Sequence, residues 1–281
     1  TRSSWVTGVQ TCALPIYSTW NIQPASITID KEKIFVDNIH LSKGDQYLRI
    51  NGTISSFSPQ ETLTLDLNDI ELSYIFDIVN IPALQFGGRA TGTFRLNDLY
   101  GSRIINTNLE VHDFSFNRVV QGRLNLFSEW DNDQNGILLL GTIYKDRSTW
   151  TDVNGYIYPV GEKEGLSLYF DAKDLDIGLL RPYLSSFTQT FEGSCYGNLH
   201  LYGPFSDLSF KGKALIRNGR IGVDFLQTAY SFSDSIFLTP TTIEGRNIVI
   251  HDKHGNKGAV DFTVQHHHLR DFPAGDRKSV V

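Results

Sequence analysis

The chain contains one eleven-residue stretch twice, first as Phe86-Gly87-Gly88-Arg89-Ala90-Thr91-Gly92-Thr93-Phe94-Arg95-Leu96 and, 105 residues later, as Phe191-Glu192-Gly193-Ser194-Cys195-Tyr196-Gly197-Asn198-Leu199-His200-Leu201. The phenylalanine, two glycines and the alternating apolar positions coincide. Alternation with period two places one set of side chains toward an apolar interior and the other toward water. Each copy is therefore predicted to be a β-strand with one buried face.

The match continues on both sides in the same register, which makes the chain an array of repeats. Acidic and apolar residues recur 105 residues apart at Asp66/Asp171, Asp69/Asp174, Ile70/Leu175, Leu72/Ile177, Leu109/Ala214 and Val111/Ile216. A third copy is predicted to begin near Ile236. The sequence predicts the end of a preceding repeat at 17–47, a repeat unit at 48–150, a second at 151–235 and the start of a third at 236–275.

Short alternating runs such as Leu63-Thr64-Leu65-Asp66-Leu67 dominate the remaining sequence. Asn-Gly pairs favour positive φ, and they predict tight turns at Asn51-Gly52, Asn135-Gly136, Asn154-Gly155 and Asn218-Gly219. The predicted fold class is all-β: an extended, repetitive, curled β-sheet with a taco-like or solenoid-like groove.

One segment of each repeat changes period. Apolar residues at Leu72, Ile75, Phe76 and Val79 follow the spacing of one helix face. In the second copy Pro182 interrupts the segment, so one or two broken turns are expected there. We expect short amphipathic helices to cap each repeat and to cover an edge or opening of the sheet.

Both ends of the sequence resemble translated sequencing adapters. These are residues 1–16, through the stretch Val6-Thr7-Gly8-Val9-Gln10-Thr11-Cys12-Ala13-Leu14-Pro15-Ile16, and residues 276–281. We expect neither segment to belong to the fold. The chain has no methionine, so we also expect it to be an internal fragment of a longer protein.

The composition excludes several functional classes. The formal net charge of −6 and the absence of a basic stripe argue against a nucleic-acid partner. Cys195 is the one cysteine outside the adapter-like ends, so we expect no disulfide framework and a core-packing role for it. The longest apolar run, Gly136–Gly141, is too short to cross a bilayer as a helix.

No nucleotide-binding loop, nucleophile elbow or metalloprotease motif is present, and we expect a non-enzymatic protein without catalytic residues, metal or cofactor. The run Asp131–Gly136 matches the first half of a calcium-binding loop, but Thr142 stands where the bidentate Glu is needed, which favours a hairpin turn. We interpret His266-His267-His268 and His251-Asp252-Lys253-His254 as strand and turn residues rather than metal sites.

Two further constellations have structural interpretations beside functional ones. The acidic sets Asp66 and Asp69, and Asp171, Asp174 and Asp176, are interpreted as caps and turn formers where a strand meets the helical segment, because both repeats contain them. Exposed aromatic residues could stack on sugars or simply pack within a sheet; they are Trp130, Trp150, Tyr156 and Tyr158.

Three segments, taken in order, resemble the TamB (translocation and assembly module) and AsmA-like proteins, in particular the forms from Bacteroidota. They are Arg181-Pro182-Tyr183-Leu184 leading into Phe191-Glu192-Gly193, then Gly197–Pro204 with Phe210-Lys211-Gly212 and Asn218-Gly219-Arg220-Ile221, and finally Phe225–Ile236 with Ile250–Asn256. The resemblance covers about residues 20–270. It implies a periplasmic protein, anchored in the inner membrane by a segment outside this sequence, with a hydrophobic groove.

The resemblance implies phospholipid transport to the outer membrane, or assembly of outer-membrane proteins, as the function. The expected partners are phospholipid or an outer-membrane protein client, with an outer-membrane assembly protein as a further candidate. The inward-facing groove candidates are Leu96, Leu109, Leu199, Leu201 and Ile216. The alternatives are a β-solenoid that binds or cleaves polysaccharide, suggested by the aromatic residues, and a structural surface repeat.

Overall fold

The computed structural model of the chain describes residues 3–6, 19–74, 85–98, 104–159, 164–184, 188–223 and 227–265. The strands within these residues are β1 (Ser3–Val6), β2 (Asn21–Ile22), β3 (Ser26–Ile29), β4 (Lys33–Lys43), β5 (Gln46–Ser55), β6 (Thr62–Glu71), β7 (Phe86–Asn97), β8 (Ile104–Phe116), β9 (Val119–Asp131), β10 (Gly136–Tyr144), β11 (Trp150–Tyr158), β12 (Gly165–Asp176), β13 (Phe191–Gly203), β14 (Ser209–Val223), β15 (Thr228–Leu238), β16 (Thr242–His251) and β17 (Lys257–Gln265). The predicted all-β class is confirmed.

The chain divides into two compact units. Unit 1 comprises Thr1–Ala83, Gly87–Phe114 and Arg123–Leu139, and unit 2 comprises Leu84–Phe86, Ser115–Gly122 and Leu140–Val281. In unit 1 the strands from β3 to β7 pair antiparallel in sequence order. In unit 2 the strands from β11 to β17 do the same. Pairing between consecutive strands needs only short connections, which fits the many short runs of the sequence.

A β-bulge interrupts most of these strand pairs. At four bulges the extra residue is an Asn or Asp with φ near +50°, whose N–H donates to a side-chain oxygen of the facing strand. The pairs and N···O distances are Asn38 to Asn51 (3.2 Å), Asp69 to Thr91 (3.0 Å), Asn218 to Ser233 (3.0 Å) and Asn247 to Asp261 (2.6 Å). Bulges bend their strands and increase the twist, so this repeated device curls the sheet within each unit.

The 105-residue period recurs in the backbone. Residues one period apart share unusual φ values: Asp69/Asp174 (57° and 64°), Gly88/Gly193 (119° and 136°), Gly92/Gly197 (152° and 146°) and Asp113/Asn218 (both 51°). Asn38 and Asn247, which are 209 residues or about two periods apart, have φ of 48° and 51°. Because positive φ is unfavourable for residues other than glycine, its recurrence supports a structural repeat.

Each unit has its own apolar core on one face of its sheet. In unit 1 the core gathers the buried residues Trp20, Leu67, Ile70 and Leu109. In unit 2 the core gathers Ala172, Ile177, Leu184, Phe191, Cys195, Leu199, Ala214, Ile216, Ile236 and Leu238. Most of the second set comes from the neighbouring strands β12 to β15, which shows that the curled sheet itself supplies most of the core.

The prediction of amphipathic helices capping each repeat is not supported. In unit 1 the described helical residues are Leu72–Tyr74, and Ile75, Phe76 and Val79 lie outside the described residues. In unit 2 a 3-10 turn, Ile177–Leu180, continues into a single α-turn, Arg181–Leu184. Pro182 lies in the first turn, and the described residues of this segment form only these two short turns, as the sequence had indicated.

The prediction of tight turns at the four Asn-Gly pairs is wrong for three of them. Asn135-Gly136 ends a turn, but Asn51-Gly52, Asn154-Gly155 and Asn218-Gly219 lie inside β5, β11 and β14. At Gly155 a Cβ atom would come within 2.0 Å of the Ser167 carbonyl oxygen on the adjacent strand. Glycine is needed there for close strand approach rather than for a hairpin.

The expectation that residues 1–16 take no part in the fold is wrong at one place. The backbone of Ser3–Val6 forms β1, which pairs antiparallel with β3. Val9, Leu14 and residues 276–281 lie outside the described residues, as does the side chain of Trp5.

Candidate functional site

The inner face of unit 2 is organised as rows that run across its strands. Leu199 lies opposite Phe170 on β12 and Gly212 on β14. Gly212 in turn faces Leu238 on β15, which faces Ile243 on β16. Because side chains alternate along each strand, these residues all point to the same side of the sheet. The inner face is therefore apolar from β12 to β16.

The structure divides the five groove candidates into two classes. Leu109, Leu199 and Ile216 are 6%, 5% and 1% exposed and belong to packed cores. Leu96 and Leu201 are half-buried. Side chains that already fill a core have no surface left for a ligand, so only Leu96 and Leu201 remain available to contact a bound chain.

Leu201 belongs to a half-buried apolar row, defined as Leu168, Leu201 and Phe210. The register places Leu201 opposite both of the others. In unit 1 Leu63 lies opposite Leu96, one period before Leu168 and Leu201. We call these two sets the marginal rows. They are the part of each inner face that the core leaves partly open to solvent.

The acidic residues that both repeats contain have several different roles. Asp176 caps the 3-10 turn by accepting from the Gly178 N–H at 2.8 Å, as predicted. The capping interpretation is wrong for Asp69 and Asp174, which are bulge residues in mid-strand. Burial alone would raise the pKa of Asp174, but hydrogen bonds from Ser194 and Lys145 outweigh it and lower the pKa.

The two other members of the acidic sets also lie within strands. Asp66 accepts a hydrogen bond from the Thr93 hydroxyl at 2.8 Å, and Asp171 forms an ion pair with Lys173 at 3.1 Å. Neither caps a helical turn: Asp66 bonds to the neighbouring strand β7, and Asp171 pairs with a residue of its own strand, β12.

The ligand-like loops are turns. Asp131 accepts from the N–H groups of Asp133 and Gln134 at 2.9 and 3.0 Å, and β10 follows at once, which confirms the hairpin-turn interpretation. Asp252 accepts from the N–H groups of His254 and Asn256. Among the described residues, no group of three or more His, Cys, Asp or Glu side chains could hold a metal ion. His266-His267-His268 lies outside them.

Cys195 is a core residue. Its side chain is 4% exposed within the unit 2 core, and burial raises the pKa of the thiol to about 11. A buried, protonated thiol is a poor nucleophile, which confirms the packing role. In the described part of the chain no helix is both long and apolar enough to span a membrane.

The outer face of unit 2 carries an aromatic stack that the sequence did not reveal. The rings of Tyr169 and His200 are 4.0 Å apart and nearly parallel, and the ring of Tyr202 also stacks with that of His200, at 4.6 Å. Nearby, Trp150 donates its ring N–H to Asp152 at 3.1 Å, and Asp152 lies opposite Asp171 on the next strand. Trp150, one of the predicted exposed aromatic residues, therefore lies beside a carboxylate.

A serine and a histidine meet within this stack. Ser167 Oγ is 2.9 Å from His200 Nε2, a distance that also occurs in nucleophile–base pairs. Nδ1 of His200 has no hydrogen-bond partner among the described residues, so no carboxylate orients the ring. Burial, with the positive charge of Lys211, lowers the pKa of His200. Without an orienting acid the pair lacks a triad's third member, and its ring is held by stacking instead.

A shallow depression of about 620 Å³ lies beside the stack. Its lining includes Tyr169, His200, Lys211, Lys213, Phe237 and Pro240. Lys211 lies over the Tyr202 ring at 4.8 Å and Lys213 over the Phe237 ring at 5.4 Å. The alternation Lys211-Gly212-Lys213 was visible in the sequence, but the partners on β13 and β15 follow only from the strand register.

Comparison with known proteins returned no match: no family model, curated protein or solved structure is similar to this chain.

Proposed function

We propose that this chain is a segment of a periplasm-spanning scaffold, of the kind found in TamB-like proteins, that guides lipid or an outer-membrane protein client along an apolar face. The observation that carries the proposal is the recurrence of the marginal row at the same place in both repeats, Leu63 with Leu96 and Leu168 with Leu201. A surface that recurs with the fold suits an extended cargo better than a single small ligand.

The proposed contact between cargo and protein is hydrophobic and therefore does not depend on direction. Each CH₂ group of an acyl chain that moves from water onto an apolar surface is stabilised by about 0.8 kcal/mol, without any catalytic residue. The buried cores supply a rigid support, and the half-buried leucines supply the contact surface. On this proposal the protein lies in the periplasm, is anchored in the inner membrane by a segment outside this sequence, and works with an outer-membrane assembly partner.

Site-specific photo-crosslinking in cells tests the proposal. A photoreactive residue replaces Leu201 or its repeat equivalent Leu96 in the protein that contains this chain. The matched controls are the adjacent positions His200 and Arg95, which alternate to the outer face. We expect phospholipid to be captured at the two leucine positions and not at the two controls. Equal capture at all four positions, or none at any, contradicts the lipid proposal.

The same experiment separates the two cargoes. Capture of an outer-membrane protein at position 201, without lipid, would remove the lipid conduit and leave the assembly role. Polysaccharide binding remains a second candidate because aromatic rings cluster on the outer face of unit 2. Polysaccharide cleavage and a purely structural surface role have no comparable observation in their favour.

A further inference from the structure

The depression on the outer face of unit 2 has an unusual charge distribution for an acidic chain. Lys211 and Lys213 both point outward from β14, and among the described residues no carboxylate lies within ion-pair distance of either ammonium group. The nearest carboxylates along the register already have cations, Asp171 with Lys173 and Glu244 with Arg246. Two adjacent cations are thus left uncompensated in a protein of net charge −6.

The two lysines occupy alternate positions of β14, about 6.6 Å apart along the backbone. Both therefore project from the same face of the strand, and both line the depression. Each lies over an aromatic ring, Lys211 on Tyr202 and Lys213 on Phe237, which restricts its motion. An anion that binds between them has less side-chain disorder to suppress.

The walls of the depression are aromatic. Tyr169 is 51% exposed and Phe237 is 41% exposed, values that leave ring surface free for a ligand. Tyr169 is kept upright by its stack with His200. Asn198 and Thr239 add polar groups to the rim. Aromatic surface, amide and hydroxyl groups, and two cations together match a ligand that is flat, hydroxylated and negatively charged.

We propose that this depression binds an acidic saccharide, whose carboxylate or phosphate pairs with Lys211 and Lys213 while its C–H faces pack on Tyr169 and Phe237. An acyl chain would gain little from an open site with a polar rim. A nucleic acid needs a longer basic stripe than two lysines supply. The site lies on the opposite face of the sheet from Leu201, so it is independent of the marginal row that is proposed to contact cargo.

Calorimetric titration of the purified chain tests the site, with tetragalacturonate as the acidic probe and maltotetraose as the neutral one. The double variant Lys211→Gln/Lys213→Gln removes both cations. Lys253→Gln/Lys257→Gln, elsewhere in unit 2, removes the same charge and is the matched control. We expect only the acidic probe to bind. Its binding should weaken roughly tenfold in the Lys211→Gln/Lys213→Gln variant and stay unchanged in the control variant.

A second variant tests the contribution of the aromatic wall separately from that of the lysine charges. Phe237→Ala leaves the formal charge unchanged, and we expect it to weaken binding of tetragalacturonate while circular dichroism shows an intact sheet. Leu201→Arg on the inner face is expected to bind the saccharide normally. Equal binding of both probes, equal loss in both lysine double variants, or no binding overturns the proposal. Binding of phosphatidylglycerol vesicles in place of the saccharide would also overturn it and identify the surface as a membrane contact.

Discussion

Ile216 and Leu201 belong to the inner face of unit 2, yet truncating them should have very different effects. Ile216 is 1% exposed in the core, so Ile216→Ala leaves a cavity and should cost about 2–5 kcal/mol of unfolding free energy. Leu201 lies at the margin of that face and is more exposed than Ile216, so Leu201→Ala removes less buried surface and should cost only about 1 kcal/mol.

Thermal unfolding followed by circular dichroism converts these energies into temperatures. For a unit of this size, 1 kcal/mol shifts the Tm by about 2–4 °C. We therefore expect Ile216→Ala to lower the unit 2 transition by roughly 4–20 °C and Leu201→Ala to lower it by roughly 2–4 °C. Equal destabilisation by the two variants would show that Leu201 is a core residue and would refute its assignment to the marginal row.

Three further predictions concern the fold. Gly245→Val should destabilise unit 2, because a Cβ atom at Gly245 would lie 2.3 Å from Phe262 Cε1, and the added variant Phe262→Ala should restore part of the loss in denaturant titrations. In a Cys12→Ser background, Cys195 should react with a thiol reagent at pH 8 only in denaturant; fast reaction of the folded protein would contradict its burial. The pKa of Asp174 is lowered in the folded protein, so its ionised carboxylate stabilises the fold above the unfolded-state pKa, and this stabilisation is lost as pH falls through the folded-state pKa. The stability of Asp174→Asn should therefore differ from that of the wild type most near pH 7 and least below both pKa values, and a difference that does not change with pH would argue against the shift.

The repeat and the all-β class could be predicted from sequence because both follow from local spacing. Period-two alternation indicates strands, and the match between Phe86–Leu96 and Phe191–Leu201 gives the period. The bulges could not be predicted in the same way. The preference of Asp for caps predicts helix boundaries at Asp69 and Asp174, but Asp also tolerates positive φ within a strand.

The sites depend on strand register, which the sequence leaves open. A slip of one residue exchanges the two faces of a strand, so the meeting of Tyr169, His200 and Lys211 in one row could not be derived from spacing alone. The same limit applies to the groove candidates. The pattern predicted that Leu199 and Leu201 share a face, but not that the core closes over Leu199 and leaves Leu201 half-buried.

The most direct test of the marginal row measures binding of a fluorescent phospholipid to the purified chain. The measurement compares the variants Leu201→Arg and Asn154→Arg. Both variants add one positive charge to unit 2, the first on the inner face and the second at an exposed position on the outer face of β11. An unpaired charge on an apolar surface is costly, so we predict that Leu201→Arg weakens binding at least roughly tenfold and that Asn154→Arg leaves it unchanged. Equal binding by the two variants, or no binding by the unaltered chain, would contradict a lipid-carrying inner face.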